Sequence, residues 1–247
     1  MLRLEGITKR FGGVVATDGV TLEIARGEVH ALIGPNGAGK TTLIGQVSGS
    51  LASDSGAIRF FEKDITQLPQ HRRVRAGLAR SYQITSIFRR FSVLDNLALA
   101  VQARSGSSFS FWNPVSSEKT LVDEAFAVLQ AIGLQDKKNH LASTLAHGEQ
   151  RALEVGLALA TQPKLLLLDE PMAGMGPEES SRIIELIGRV RASATVLLVE
   201  HDMDAVFRLA DRISVLVNGR IIATDAPQKI KLNEEVRRAY LGDEGAA

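Results

Sequence analysis

Residues 34–42 read Gly34-Pro35-Asn36-Gly37-Ala38-Gly39-Lys40-Thr41-Thr42. This stretch matches the pattern G-x-x-x-x-G-K-[ST] of a phosphate-binding loop. The segment before it, Val29–Ile33, is typical of a buried strand, and the segment after it, Thr42–Val47, can open a helix. Because a phosphate-binding loop must lie between a strand and a helix, this context supports the motif. The sequence therefore predicts a site for a nucleoside triphosphate.

The residue types of the loop suit a polyphosphate. Glycines allow successive backbone N–H groups to converge on phosphate oxygens, and the helix N-terminus adds a favourable dipole. We expect Lys40 to reach the β- and γ-phosphates and the Thr41 hydroxyl to ligate Mg²⁺. A glycine-rich turn with an incidental lysine is the alternative, and the flanking strand and helix argue against it. The loop alone does not reveal how the energy of the nucleotide is used.

Composition narrows the class of protein. The 247 residues are 45% hydrophobic and 23% charged, which is typical of one large or two closely joined folded domains. A net charge of +1 argues against a protein that coats nucleic acid or an acidic membrane. The chain has no cysteine, so it has no disulfide framework and no Cys-ligated metal. No apolar run approaches the roughly 20 residues of a membrane span, and Met1–Gly6 does not resemble a signal peptide. We expect a cytoplasmic protein that docks on a membrane partner.

Hydrophobic patterning divides the chain into three parts. The first part is rich in strands, the middle has apolar residues at helical spacing, and the last part alternates strands with helices. No internal repeat is visible, so we expect a single nucleotide-binding unit. The predicted strands are Leu2–Ile7, Val20–Ile24, Val29–Ile33, Ala57–Phe61, Leu165–Leu168, Thr195–Val199, Ile213–Val217 and Ile221–Ala223. The predicted helices are Leu121–Ile132, Gly148–Ala160, Ile183–Val190 and Leu232–Leu241.

This order predicts an α/β fold: a P-loop NTPase core with an antiparallel β layer and an inserted helical subdomain. We predict one domain, in which residues 1–83 and 161–231 form the core with its β layer, 84–160 the helical subdomain, and 232–247 a C-terminal helix and tail.

Three local signals add detail to this fold. Asn218-Gly219 predicts a tight hairpin between two strands. Asn233 is expected to cap the C-terminal helix. The segment 105–114, which carries three aromatic residues, is predicted to be a surface loop that packs locally or contacts a partner.

A second chemical motif follows the apolar run Leu165–Leu168. Asp169 and Glu170 come directly after it, and the carboxyl end of a parallel strand is where ligands bind in such folds. We expect Asp169 to hold Mg²⁺, directly or through its water, and Glu170 to activate the water that attacks the γ-phosphate. Two solvated acids at the end of a strand are the alternative.

With these motifs the chain resembles the ATP-binding cassette (ABC) ATPases over essentially its whole length. The family's Q-loop glutamine corresponds to Gln83, its switch histidine to His201, and its adenine-stacking aromatic to Phe11. All the family motifs occur in the expected order. The family signature, usually Leu-Ser-Gly-Gly-Gln, corresponds to Leu145-Ala146-His147-Gly148-Glu149.

The resemblance implies ATP and Mg²⁺ as cofactors and a role for each residue. Phe11 would stack on adenine; Gln83 would ligate Mg²⁺, sense the attacking water and lie in a loop that touches the membrane subunit. His201 would donate to the γ-phosphate and orient Glu170 and the water. The signature would cover the ATP bound to a second cassette. Taken singly, Phe11 reads as a core residue, Gln83 as a surface residue and His201 as a structural one.

Two positions depart from the family pattern. Ala146 replaces the usual serine, so a hydroxyl that would contact the γ-phosphate is missing, although backbone N–H groups near His147 and Gly148 can still bind an anion. Gly176 stands where the family usually has aspartate, which puts a polar link between subunits in doubt. Neither change removes Lys40 or Glu170, so we expect an active ATPase.

Within the family, three segments are most similar to the branched-chain amino acid importers: His147–Arg151, Asp169–Met175 and Ala239–Gly242. Relatives with these features import urea or other amides, and a more distant branch extracts lipopolysaccharide. The resemblance implies a second cassette as partner, a non-identical sister chain or, for the isolated protein, a homodimer. It also implies two transmembrane permease subunits, an indirect role for an extracellular or periplasmic solute-binding protein, and a place at the cytoplasmic face of the membrane.

Other classes remain open from the sequence. A nucleic-acid-linked ABC ATPase would need basic surface, for which His71–Arg75 with Arg80, Arg89 and Arg90 is the one candidate stretch. A solvated face or a membrane-partner surface is the interpretation we prefer, and no nucleic-acid partner is expected. A lipid exporter differs mainly in its partners, and a regulatory subunit would bind ATP without hydrolysing it. The solute cannot be read from this chain.

Overall fold

The computed structural model describes residues 1–81, 87–105 and 119–241. The chain forms two compact units. The phosphate-loop unit comprises Met1–Arg73 and Thr195–Ala247, and the signature unit comprises Val74–Ala194. Within the described ranges, no helix is long and apolar enough to cross a membrane.

The phosphate-loop unit contains an antiparallel sheet in the order β2-β1-β4-β5. Leu4 of the first strand lies opposite Leu22 on one side and Ile58 on the other, and all three side chains are buried. Alternating burial along these strands is what gives the sheet one face against a core. The strands are β1 (Leu2–Phe11), β2 (Val14–Ile24), β4 (Ser55–Phe60) and β5 (Lys63–Asp64).

Parallel pairing in the same unit centres on β3 (Val29–Ile33), which lies between β8 (Thr195–Val199) and β9 (Arg212–Val217). Every residue of β3 and β8 is buried, as expected for strands covered on both faces. The antiparallel strand β10 (Arg220–Asp225) completes this group. Four helices belong to the unit: α1 (Lys40–Ser48), α7 (Met203–Leu209), α8 (Pro227–Leu232) and α9 (Glu234–Leu241).

The C-terminal end of α1 is closed by an arginine that is distant in sequence. Arg73 is buried, and its Nη1 donates to Gln46 O at 2.7 Å and to Val47 O at 2.8 Å. The last carbonyls of a helix lack partners within the helix, so this guanidinium supplies hydrogen bonds there, in addition to the one that Gln46 O accepts from the Gly49 N–H at 3.3 Å. Arg73 lies in α2 (Gln70–Ala76) and belongs to the interior.

In the described part of the signature unit, strands β6 (Leu78–Arg80) and β7 (Leu165–Asp169) form a parallel pair. The helices described there include α3 (Val93–Ser105), α4 (Lys119–Ala131), α5 (His147–Ala160) and α6 (Pro177–Val190). Helix α5 contacts α3 and α4. The packing is close at Gly156 of α5, where a Cβ atom would lie 3.2 Å from Leu97 Cδ2 of α3 and 2.8 Å from Cδ1 of Ile132, the residue after α4.

Most predicted elements are confirmed. Each predicted strand is present, and Asn218 (φ 47°) with Gly219 (φ 78°) forms the predicted tight turn between β9 and β10. The helix predicted at Ile183–Val190 begins earlier, at Pro177, a residue suited to the first turn because its missing N–H has no partner there. The segment 106–114 of the predicted aromatic loop lies outside the described residues.

The predicted C-terminal helix is present up to Leu241, but it begins at Glu234 and not at Leu232, and another helix precedes it. Helix α8 ends at Leu232, and α9 begins at Glu234. Asn233 separates them because its backbone is extended and its side-chain Oδ1 accepts the Val236 N–H at 3.1 Å. The predicted cap is therefore present, but it begins a new helix after another has ended.

Candidate active site

The phosphate loop needs glycine at two positions because other backbone segments pass very close to it. A Cβ atom on Gly34 would lie 2.0 Å from Leu216 O, and one on Gly39 would lie 2.1 Å from Ala16 O. Gly39 also has φ 104°, in a region that other residues avoid. The glycines of the motif thus let the loop fit between strands β2 and β9, and they also shape it for phosphate.

The Lys40 side chain is held in place over the loop by hydrogen bonds to backbone carbonyl groups. It is buried, and Nζ donates to Gly34 O at 2.7 Å and to Pro35 O at 2.9 Å. Among the residues that the structure describes, no side chain caps the N-terminus of α1, which begins at Lys40. A helix N-terminus without a cap beside a fixed ammonium group is suited to an anion.

Phe11 is exposed at the end of β1. Half of its surface is accessible, and Lys9 Nζ lies 5.7 Å from the ring centroid. The alternative that Phe11 is a core residue is therefore excluded. An accessible aromatic face can stack on a flat base, which keeps the adenine-stacking role open as a prediction.

Asp169 lies at the end of β7 and is only 1% exposed. Its Oδ2 accepts a hydrogen bond from Arg80 Nη2 at 2.8 Å, and this arginine ends the neighbouring strand β6. Within the described ranges Oδ1 has no hydrogen-bond partner although it is buried. A buried carboxylate oxygen without a donor is uncommon and leaves room for a ligand such as a hydrated cation.

Glu170 has an unusual backbone conformation. Its φ is 49°, in the left-handed region that residues other than glycine seldom adopt. The chain turns sharply there, and Ala173 N–H donates to Glu170 O at 3.2 Å. Strained residues of this kind cluster at functional sites because the surrounding structure must hold them.

The signature segment forms the start of α5. Leu145 is buried, Ala146 is the N-cap residue, and the helix begins at His147. Glu149 Oε2 accepts the Ala146 N–H at 3.0 Å, which is half of a capping box; alanine has no hydroxyl to supply the other half. Burial opposes ionisation of Glu149, but hydrogen bonds from Lys137 and from the Ala146 N–H outweigh it and hold the pKa of Glu149 below its usual value.

The switch position lies between β8 and α7. His201 is exposed there, and its N–H donates to Glu200 Oε2 at 3.0 Å. Asp202 caps α7 by accepting the Ala205 N–H at 3.1 Å. Gln83, the remaining predicted catalytic residue, lies outside the described residues.

The interpretation of the basic stretch as a solvated or partner-binding face was wrong for two of its members. Arg73 closes helix α1 from the interior, and Arg80 pairs with Asp169. His71, Arg72, Arg75, Arg89 and Arg90 do lie on the surface. The pairing of Arg80 with Asp169 could not be predicted from the sequence, because 89 residues separate the two.

A phosphate loop between a buried strand and a helix, together with carboxylates at the end of another buried strand, defines a P-loop NTPase. The family described as "ABC transporter" matches residues 17–173, and the one described as "Branched-chain amino acid ATP-binding cassette transporter" matches residues 220–246. The chain therefore belongs to the ATP-binding cassettes of the ABC transporter family, and it is an ATPase. The predicted family, enzyme class and fold class are confirmed.

Relatives and solved structures agree with this assignment. The high-affinity branched-chain amino acid transport ATP-binding protein LivG of Salmonella typhimurium is 38% identical, with 98% of each chain covered. BraF of Pseudomonas aeruginosa, with the same description, is 37% identical over the same shares. Among solved structures, the ADP conformation of MJ1267, an ATP-binding cassette of an ABC transporter, has a TM-score of 0.86 at 31% identity and covers 98% of each chain.

Proposed function

We propose that this chain energises the uptake of branched-chain amino acids, or of a related small polar solute, through an ABC importer. The observation that carries the proposal is the match of residues 220–246 to the branched-chain amino acid cassettes. That segment lies outside residues 17–173, which match ABC transporters in general. The match therefore indicates the branch of the family to which the chain is similar. The names of relatives aligned over 98% of the chain support the same solute class.

Nucleotide binding is assigned to the phosphate-loop unit. Lys40 and backbone N–H groups within the loop 34–42 hold the β- and γ-phosphates, and Phe11 stacks on adenine. The uncapped N-terminus of α1 and the buried ammonium of Lys40 support the first role. The accessible ring of Phe11 supports the second.

Magnesium is the cation implied by this family, and the residues present fit it. Thr41, Gln83 and Asp169 would hold it, and Asp169 Oδ1 is a buried oxygen with no donor among the described residues. Mg²⁺ commonly takes one or two carboxylates together with phosphate oxygens and water, so a single aspartate is a suitable protein ligand. When bound, Mg²⁺ neutralises charge on the phosphates.

Hydrolysis is assigned to Glu170 and His201. Glu170 accepts a proton from the attacking water, and His201 donates to the γ-phosphate and orients the water. The strained backbone of Glu170 and the exposed position of His201 support these roles. Gln83 completes the proposed set as a sensor of the water.

The cassette works with partners. This chain pairs with a second cassette, which is a non-identical sister chain or a second copy. Residues 145–149 of this chain cover the ATP that the second cassette holds, and the signature of the second cassette covers the ATP of this chain. The γ-phosphate then favours the closed pair, and hydrolysis releases it. Two permease subunits bind the pair at the cytoplasmic face of the membrane, and a solute-binding protein delivers the solute.

The solute is tested by reconstitution. The chain would be assembled in proteoliposomes with the permease subunits that co-purify with it and with their binding protein. We expect leucine or valine to stimulate ATP hydrolysis and to be taken up, whereas urea and acetamide have no effect. Stimulation by an amide alone, or by lipopolysaccharide without a binding protein, would contradict the proposal and favour the other branches.

A further inference from the structure

The N-terminus of the signature helix α5 is already occupied by a carboxylate of the same unit. Gly148, the second residue of α5, donates its N–H to Glu179 Oε1 at 3.2 Å. Glu179 lies in the first turn of α6, 31 residues further along the chain. A Cβ atom on Gly148 would lie 2.8 Å from that oxygen, so the carboxylate lies directly against the backbone.

A carboxylate at this place imitates a phosphate. The first N–H groups of a helix lack partners within the helix, and the helix dipole makes them attractive to anions. In the signature segment the Ala146 N–H is taken by Glu149 and the Gly148 N–H by Glu179. Because Ala146 has no hydroxyl, a γ-phosphate at this place would depend on backbone N–H groups of the first turn, and Glu179 occupies one of them.

The carboxylate of Glu149 is held more firmly than that of Glu179. Glu149 is also bound by Lys137, and its side chain is mostly buried. Glu179 is half-buried, and its hydrogen bond from the Gly176 N–H is long, with 3.5 Å between the nitrogen and Oε2. A cavity of about 190 Å³ adjoins both, and Arg182, one helical turn after Glu179, lines it. Glu179 therefore has space and an oppositely charged neighbour to move towards.

We propose that Glu179 is a positioning residue that occupies the γ-phosphate place on the signature helix until the ATP of a second cassette displaces it. The proposal rests on the proposed function, because it requires the signature to meet a partner's nucleotide. A contact that exists in the separated cassette and is lost in the closed pair weakens closure. Glu179 then sets the ATP concentration and the protein concentration at which the pair forms.

Formation of the closed pair of cassettes can be measured in the Glu170→Gln chain, which is expected to bind ATP without hydrolysing it. The Glu170→Gln chain, with or without Glu179→Ala, would be titrated in ATP and Mg²⁺ by analytical ultracentrifugation. We expect Glu179→Ala to lower the dimer dissociation constant about five- to tenfold, within the range of typical coupling between sites. Glu178→Ala is the matched control, because Glu178 is exposed in the same turn of α6 and carries the same charge. It should change the constant less than about twofold.

The outcomes separate the two proposals. Equal or weaker dimers from a folded Glu179→Ala chain, beside ATP-dependent dimers of its parent, overturn the role of Glu179 alone. If no variant dimerises with ATP, with or without its sister chain, the result also contradicts the proposed ATP site shared between two cassettes. Dimers that form only after Glu179→Ala would support both.

The contact itself can be tested in the separated cassette. The resonance of an amide proton depends on the acceptor that it binds, so the Gly148 amide would be compared by NMR in the parent chain and in the two variants at one pH. We expect its chemical shift to move in Glu179→Ala and to stay within the line width of the parent in Glu178→Ala. A Gly148 amide that is unchanged in Glu179→Ala, or that moves equally in Glu178→Ala, would overturn the proposal.

Discussion

Single side chains at this site serve both stability and chemistry. Asp169 is buried beside Arg80, with Nη2 of the arginine 2.8 Å from Oδ2, and its other oxygen has no donor among the described residues. A buried carboxylate is costly unless it is paired, and the arginine supplies the pair while leaving Oδ1 open. Arg80 thus pairs with an acidic residue in the interior and orients it.

Loss of the ion pair between Arg80 and Asp169 should destabilise the fold. Arg80→Met should lower the free energy of unfolding by about 3–5 kcal/mol, because it leaves Asp169 as a buried charge without its partner. In an Asp169→Asn background the same change should cost at least about 1 kcal/mol less. Urea unfolding of the four chains of this double-mutant cycle gives the coupling energy. Additive effects would show that the two side chains are not energetically coupled.

At the scale of elements, a chain of buried polar groups links the strands around the phosphate loop. His30 on β3 is fully buried; its Nδ1 lies 3.0 Å from Glu28 Oε1 and its Nε2 lies 2.8 Å from Ser214 Oγ on β9. Ser214 Oγ in turn lies 2.7 Å from Thr224 Oγ1 on β10. The sequence pattern identified these segments as strands, but it could not show that their polar residues meet, because that depends on parallel pairing between distant segments.

This network should make the free energy of unfolding depend on pH in the acidic range. Burial opposes ionisation of Glu28, but hydrogen bonds from His30 and from the Ala25 N–H outweigh it, so the pKa of Glu28 is below its ordinary value of 4.5. Ionised Glu28 therefore stabilises the fold above that value, and the contribution is lost as the pH falls towards the lower pKa of the folded state. We expect the free energy of unfolding of Glu28→Gln to fall less than that of the parent chain between pH 5 and pH 3, roughly the window set by that ordinary value. Parallel pH curves would contradict this.

At the scale of the whole molecule, the order of motifs was sufficient to predict the family, the fold class and the ATPase activity. The tight turn at Asn218-Gly219 was also predicted, because these residues favour it locally, whereas the start of α6 at Pro177 was missed. The interior roles of Arg73 and Arg80, and the contact of Glu179 with Gly148, were not predictable, because each joins residues that are distant in sequence. The domain limits at residues 84–160 stay a prediction.

The most direct test of the central claim is a comparison of ATP binding and ATP hydrolysis in the parent chain and in Glu170→Gln. Both quantities would be measured on the same preparations, with the permease subunits present. We predict that the variant binds ATP with the affinity of the parent chain while its turnover falls by at least about a hundredfold, the scale set by loss of a general base. Hydrolysis at the parental rate would contradict the assignment of Glu170 as the base, and loss of ATP binding would contradict the separation of binding from catalysis.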